Sequence, residues 1–381
     1  MKEESLVNHP PQVDLDTDNR PLVAPIYQSV KFGVESTESL NNKNIFFYSR
    51  VANPTLRQLE LLCAQLQQRE EAIAVSSGVA AVSSCLLNLL KTGDHVILFL
   101  ESYAPTRYLV RTLLAKFGVT SSLLNIGDSA GLLKALKQHK TRLILLECPT
   151  NPMTRIPDVE FIASAAKAHG ALTMMDNTFS GFHNLGSTKI DLFVHSLTKF
   201  ASGHGDVMGG MIIGNSDLIP SIRHECTELG PTLDPHAAYL IQRGMKTYFL
   251  RYQKQCENAL AVALWLEKHP GVENILYPGL QSHPEHQRAK DLLRDFGSII
   301  AFDVKGPGKT CDTFLNRIKF IHLAGSLGST DSLAAPVKHF YARDFDESQL
   351  KTVGISHRTV RLSIGIEAIE DILGDLAQGL E

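Results

Sequence analysis

Apolar residues recur along this chain with two different periods. From Pro54 onward Leu56, Leu59, Leu62, Cys63 and Leu66 fall on one helical face, and Asn53-Pro54 supplies a start signal, so a helix is expected to about Gln68. Beyond it, short apolar runs alternate with helical stretches. Strands are expected at 72–75, 95–100, 121–126, 142–147, 171–176, 191–195 and 210–213, with helices at 79–90, 106–117, 131–139 and 159–169. This alternation predicts an α/β fold, a mainly parallel seven-stranded sheet wrapped by helices, with strands apolar enough to be buried on both faces.

The flanks read differently. Residues 1–47 are polar and punctuated by Pro10, Pro11, Pro21 and Pro25, which predicts an extended arm that packs on a neighbour. Near 243–246 the pattern shifts to a long helix, 248–269, carrying the only tryptophan, Trp265. Strands at 297–304 and 359–364 and a closing helix at 369–380 then suggest a smaller C-terminal α+β unit. The expected organisation is an arm over 1–47, a larger domain over 48–244 and a C-terminal domain over 245–381.

Composition narrows the function classes. With 381 residues, 44% hydrophobic and 20% charged, the chain is long enough for more than one core. A net charge of -3 gives none of the basic excess that nucleic acid or an anionic membrane selects. The first residues carry Lys2, Glu3 and Glu4 with no apolar run, and no stretch approaches a membrane span, so a cytoplasmic protein is expected. Six cysteines without CxxC spacing read as reduced core thiols. His283-Pro284-Glu285-His286 is read as a surface turn, and no metal is assigned.

The chemistry concentrates where strands end. Lys199 closes the run Val194-His195-Ser196-Leu197-Thr198-Lys199, and Asp176 follows the apolar run 171–175. A lysine amine can join an aldehyde, the hydroxyls of Ser196 and Thr198 can hold a phosphate, and a carboxylate can keep a pyridine nitrogen protonated. Together they are the protein side of pyridoxal phosphate chemistry. Ser76-Ser77-Gly78-Val79, between a predicted strand and helix, offers backbone N–H groups as a second phosphate wall. It lacks the Gly-x-Gly-x-x-Gly turn that a dinucleotide-binding fold would want. Tyr103, after the run 95–100, is placed to stack on a flat heterocycle. Arg361 alternates with apolar neighbours in a strand pattern, and a buried arginine wants an anion such as a substrate carboxylate.

Ordered along nearly the whole chain, Tyr48-Ser49-Arg50 with Asn53-Pro54-Thr55, Ser77-Gly78, Asp176-Asn177-Thr178-Phe179, His195-Ser196-Leu197-Thr198-Lys199, Gly203-His204, Arg243-Gly244, Ser326-Leu327-Gly328 and Arg361-Leu362-Ser363-Ile364-Gly365 carry a resemblance. The chain resembles the Cys/Met metabolism family of pyridoxal phosphate enzymes, the cystathionine gamma-synthases, cystathionine gamma- and beta-lyases and methionine gamma-lyases. The resemblance implies fold type I, the aspartate aminotransferase-like architecture, with pyridoxal 5'-phosphate as cofactor. It makes Lys199 the Schiff-base lysine and proton carrier, Asp176 the partner of the pyridine nitrogen and Tyr103 the ring-stacking residue that also acts on the incoming amine, so Lys199, Tyr103 and Asp176 are the implied catalytic residues. Ser77, Gly78, Val79, Ser196 and Thr198 become the phosphate cradle, with Thr178 beside the ring. Tyr48 and Arg50 reach the phosphate of an adjacent subunit, which implies a homotetramer built as a dimer of dimers. Asn151, Ser326 and Arg361 hold the substrate.

The implied reaction makes or breaks the carbon–sulfur bond of cystathionine or a related amino acid, with gamma-elimination or replacement favoured over the beta-lyase and methionine gamma-lyase alternatives. A cofactor-binding regulatory paralogue without turnover is the reading from another class. The chain departs from the family pattern at Gly325, where a glutamate is common, at Phe200, where a tyrosine is usual, and at Val337-Lys338-His339-Phe340, which replaces a Ser/Thr-rich run.

Overall fold

The computed structural model describes residues 1–11, 21–41, 45–306, 308, 310–342 and 344–381. Of the expected arm, 12–20 and 42–44 lie outside the described residues. Twelve strands are described: β1 Glu71–Val75, β2 His95–Phe99, β3 Thr120–Leu124, β4 Thr141–Glu147, β5 Leu172–Asp176, β6 Leu192–Ser196, β7 Gly210–Gly214, β8 Val272–Leu276, β9 Ile299–Val304, β10 His322–Leu323, β11 Leu333–Pro336 and β12 Thr359–Ser363. The first seven form one sheet in the order β1-β7-β6-β5-β4-β2-β3. Each expected strand of this sheet is present within about two residues of its expected ends.

The chain divides into two compact units, Met1–Asn88 with Val194–Tyr248, and Leu89–Phe193 with Phe249–Glu381. In the first, β1 and β7 pair antiparallel, Ile73 opposite Ile212. The helix Pro54–Leu66 starts as its sequence requires: Asn53 accepts a hydrogen bond from the Thr55 N–H at 2.9 Å and Pro54 fills the first turn. Its predicted apolar face, Leu56, Leu59, Leu62, Cys63 and Leu66, is buried. Two helices here were not expected, Ile219–Leu229 and Pro235–Met245. Both have a proline in the first turn, and Asp234 caps the second by accepting from the His236 and Ala237 N–H groups. The arm is also less uniform than expected, with a short helix at Glu3–Leu6 and a 3₁₀ turn at Glu38–Asn41.

In the second unit β2 runs parallel to both β3 and β4, and β4 runs parallel to β5. Burial on both faces holds for β2 and, apart from Arg142 near its start, for β4, and fails for β3, which lies at the sheet edge and exposes Thr120 and Ser121. An edge strand has one neighbour fewer to cover it, and its Thr-Ser-Ser start shows as much. The expected helix over 106–117 begins earlier, at Ala104, and carries a π turn at Leu109–Leu113 before ending in a 3₁₀ turn.

The same unit holds the second sheet, in the order β10-β11-β12-β9-β8. The helices Tyr248–Lys268 and Ile369–Leu380 pack on it through Ala259, Val262, Leu266, Ile372 and Leu376, around an edge-to-face pair of Phe302 and Phe314 with centroids 5.6 Å apart. The 283–286 segment is a turn, as expected, with Pro284 exposed, but it is not wholly at the surface: His283 is 3% exposed, and Glu285 is drawn inward by its ion pair with Arg155. No helix among the described residues is long and apolar enough to cross a membrane.

Candidate active site

In the first unit, β1 carries the chain into Ser76-Ser77, and a helix begins directly at Gly78 and runs to Leu89. Ser77 accepts from the Ala80 N–H at 3.1 Å, so this serine caps the helix it precedes. Glycine is required at 78, since a Cβ there would lie 2.8 Å from Cβ of Ser196 and 3.2 Å from its hydroxyl. A Cβ at Gly210, on β7, would lie 2.0 Å from the Ser77 carbonyl. Two small residues thus let the turn, β7 and the end of β6 approach closely. The result sets Ser77, Gly78, Val79 and Ser196 side by side at a helix N-terminus, which is an anion-binding arrangement.

After β6 the chain turns tightly. The Lys199 N–H donates to the Ser196 carbonyl at 3.2 Å, and the Gly203 N–H donates to the Lys199 carbonyl at 2.9 Å. Thr198 accepts from the Gly209 N–H at 3.1 Å through its side-chain oxygen. Leu197 and Phe200 are buried, while Lys199 between them is half-buried. The lysine is therefore seated on an apolar base. Behind it His195 is buried, 2.7 Å from Oε1 of Gln67, and burial pushes its imidazole down to about 3, so it stands neutral in the strand.

Tyr48 and Arg50, just beyond the arm, are exposed. The Arg50 guanidinium sits 5.4 Å from the Tyr48 ring centroid and donates to the Thr227 carbonyl at 2.7 Å.

The second unit collects the remaining expected residues at strand ends. Asp176 ends β5 and accepts from the Thr178 N–H at 3.0 Å. Directly opposite in the β4–β5 register stands Glu147, a residue sequence reasoning missed. Glu147 accepts from the Tyr103 backbone N–H at 2.6 Å and so fixes where the Tyr103 loop begins. Burial, and after it the nearby Asp176 charge, push the Glu147 carboxyl well above the ordinary range. The Tyr103 side chain is itself 38% exposed.

Arg361 lies on β12 and is buried, as its alternation with apolar residues predicts. Nη1 donates to Oδ1 of Asn151 at 3.2 Å and Nη2 to the Ser326 carbonyl at 2.5 Å. The expected trio of Asn151, Ser326 and Arg361 is thus brought together. Ser326 adopts the left-handed backbone, with φ of 79°, and it is the main-chain oxygen that meets the guanidinium. Nε of Arg361 is buried without a hydrogen-bond partner. Burial lowers the affinity of this guanidinium for its proton, which is the state an incoming anion would relieve.

Two more residues escaped the sequence reading. Arg107 donates to the carbonyls of Leu100, Ser102 and Tyr341 and to both carboxylate oxygens of Asp344. Glu101 is buried beneath the Thr150–Arg155 loop, where it accepts from the Thr150 hydroxyl at 2.7 Å. Desolvation pushes its carboxyl up to about 7, against the pull of Thr150 and Arg155. An acid at or just past the end of a buried strand was the available signal in both, Glu147 closing β4 and Glu101 following β2.

Comparison with known proteins agrees with this geometry. The model of the Cys/Met metabolism PLP-dependent enzyme family matches residues 5–381. The L-methionine gamma-lyase of Fusobacterium nucleatum subsp. polymorphum is 38% identical over 370 residues, covering 94% of this chain and 93% of that protein. The cystathionine gamma-lyase of Bacillus subtilis (strain 168) is 34% identical over 385 residues and covers 100% of both. A crystal structure of cystathionine gamma synthase from Xanthomonas oryzae pv. oryzae, in complex with aminoacrylate and cysteine, superposes with a TM-score of 0.94 at 32% identity, covering 100% of this chain and 98% of that one. The chain belongs to the Cys/Met metabolism family of pyridoxal phosphate-dependent enzymes.

Proposed function

We propose that this enzyme makes or breaks the carbon–sulfur bond of cystathionine or a related sulfur amino acid, with gamma-elimination or replacement as its main chemistry. The observation that carries the reading is Arg361, a buried guanidinium held by two neutral oxygens, with Nε left for an acceptor. An α-carboxylate matches that guanidinium edge in charge and in shape. The names of the relatives above support sulfur amino acids as the substrate class.

The residues fit the family's cofactor. The closely packed turn at Gly78, which a single Cβ would fill, suits a phosphate, with Ser77, Val79, Ser196 and Thr198 around it. Tyr103 is assigned to cover one face of the ring, Asp176 to hold a proton on the ring nitrogen and Thr178 to keep the Asp176 carboxylate oriented. Pyridoxal phosphate, when bound through Lys199, supplies an electron sink for the negative charge left when a proton leaves the substrate α-carbon.

The chain's own part is positioning and proton movement. Arg361, with Asn151 and Ser326, anchors the carboxylate and so orients the Cα–H bond. The Lys199 Nζ takes the α-proton and, on its flexible stem, serves the β-carbon when gamma chemistry requires a second proton removal. Glu147, by holding the Tyr103 backbone, keeps the stacking ring in place.

The exposed pair Tyr48 and Arg50 supports a homotetramer in which these residues complete a neighbour's phosphate site. Six unpaired cysteines fit a reducing compartment, the cytoplasm. A product assay tests the reaction: L-methionine, L-cystathionine, L-cysteine, and O-acylhomoserine with cysteine are each supplied to one purified sample. 2-Oxobutyrate, or cystathionine from the last pair, is the expected product. Pyruvate alone would replace gamma with beta chemistry, and no product from any of them would overturn the reading.

A further inference from the structure

Two neighbouring groups of the second unit each bury a polar atom that meets no partner, Nε of Arg361 and the hydroxyl of Tyr341. Tyr341 is 7% exposed, and Cζ of Arg361 lies 3.9 Å from its ring centroid. That separation sets the cation on the electron-rich face of the ring. The tyrosine is held there from behind as well. Arg107 donates to the Tyr341 carbonyl at 2.9 Å, grips Asp344 with two nitrogens and lies 4.4 Å from the Phe345 ring centroid. Tyr341, Asp344 and Phe345 are therefore tied to the helix that begins just after Tyr103.

A buried phenol and a buried guanidinium edge, side by side and unpaired, have a shared remedy. Both are donors, and no acid among the described residues pairs with Arg361. A carboxylate offers two oxygens and about four lone-pair sites, enough to accept from both groups at once. Burial pushes the Tyr341 phenol up, so it remains a protonated donor at neutral pH.

Building on the reading that Arg361 holds the substrate carboxylate, we propose that Tyr341 is a second donor to the same carboxylate and thereby a substrate-binding residue. Its ring supports the guanidinium and its hydroxyl completes the grip.

L-Norleucine carries a methylene where methionine carries sulfur, so it has no thiol to expel and its binding can be measured without turnover. It is titrated calorimetrically into the holoenzyme beside norleucinamide, which replaces the carboxylate with a carboxamide. Tyr341→Phe keeps the ring and removes the hydroxyl; the dissociation constant of L-norleucine is expected to rise about tenfold, with that of norleucinamide hardly moved. Tyr341→Leu, which also removes the aromatic face, is expected to weaken L-norleucine further. Arg361→Ala, which removes the cation, tests the parent reading by the same acid-over-amide preference. If Arg361→Ala loses that preference while Tyr341→Phe retains it, the tyrosine proposal fails and the parent reading stands. If both variants retain it, the carboxylate reading itself fails. Equal weakening of both ligands by Tyr341→Phe, with a lowered melting temperature, would mark a purely structural tyrosine and overturn the proposal.

Discussion

Around Gly78 the groups offered to an anion are main-chain N–H groups and short hydroxyls, whereas around Arg361 they are one long cation and the acceptors that hold it. The first arrangement is made of residues adjacent in sequence, joined by one close approach to Ser196. Its charge is the partial charge of a helix N-terminus, and it needs no counter-ion when empty. The second draws on positions 151, 326, 341 and 361, and a full positive charge is buried there. It is stable because neutral oxygens and an aromatic face surround the guanidinium, and it is selective because one edge remains unmatched. A turn of backbone tolerates any suitably sized phosphate; a caged guanidinium discriminates.

Lys199→Ala breaks the comparison most severely, because neither anion site can act on a substrate without the amine. Turnover measured with saturating substrate and cofactor should fall by a factor on the order of 10³ or more. Wild-type turnover in that variant would remove Lys199 from the mechanism. Arg361→Ala separates the two sites. KM should rise by about a hundredfold while cofactor content stays near one per subunit, since the loss is of charged hydrogen bonds to the substrate. Arg361→Lys should recover only part of it, because an ammonium cannot present the fork.

Gly78→Ala tests the other side. The new methyl must displace Ser196, 2.8 Å away, and equilibrium dialysis should show pyridoxal phosphate affinity down by about tenfold, with KM unchanged once cofactor is saturating. A rise in KM without loss of cofactor would mean that the two sites had been assigned the wrong way round.

The smallest effect is a pH dependence. Glu101 has its carboxyl raised from 4.5 to about 7 by burial, so the native state keeps a proton that the unfolded chain releases. Its contribution to stability is complete below about 4.5 and declines as pH rises to about 7. Denaturant midpoints recorded across that window should fall less steeply for Glu101→Gln than for the parent. Parallel slopes in the two proteins would exclude an elevated carboxyl at this position.

Much of this was legible from the chain because the relevant signals are local. The seven strands, the Asn53-Pro54 helix start and the Ser77-Gly78 turn are written in runs of a few residues, and the structure places them within about two positions. The grouping of Asn151, Ser326 and Arg361 was expected from resemblance, and the burial of Arg361 from alternation alone. What stayed hidden depended on partners distant in sequence. Glu147 looks like any acid closing a strand until β5 sets Asp176 beside it. Arg107 looks like a solvated helix residue until Asp344, 237 positions away, meets it. The strand Leu333–Pro336 was missed because Leu-Ala-Ala-Pro is short and weakly β-prone, although between β10 and β12 it is fully buried. His283 was misplaced outward for a similar reason, since its cover comes from the Arg155 loop.

The binding of Leu100, Ser102, Tyr341 and Asp344 by a single side chain has a consequence for how the molecule loses order. Tethering segments some 234 positions apart at one point means that neither can fray alone, since opening the 340s strips acceptors from a desolvated cation. Amide exchange in both stretches should therefore report one shared opening event, so that slow breathing near residue 341 and near residue 102 are two views of the same fluctuation.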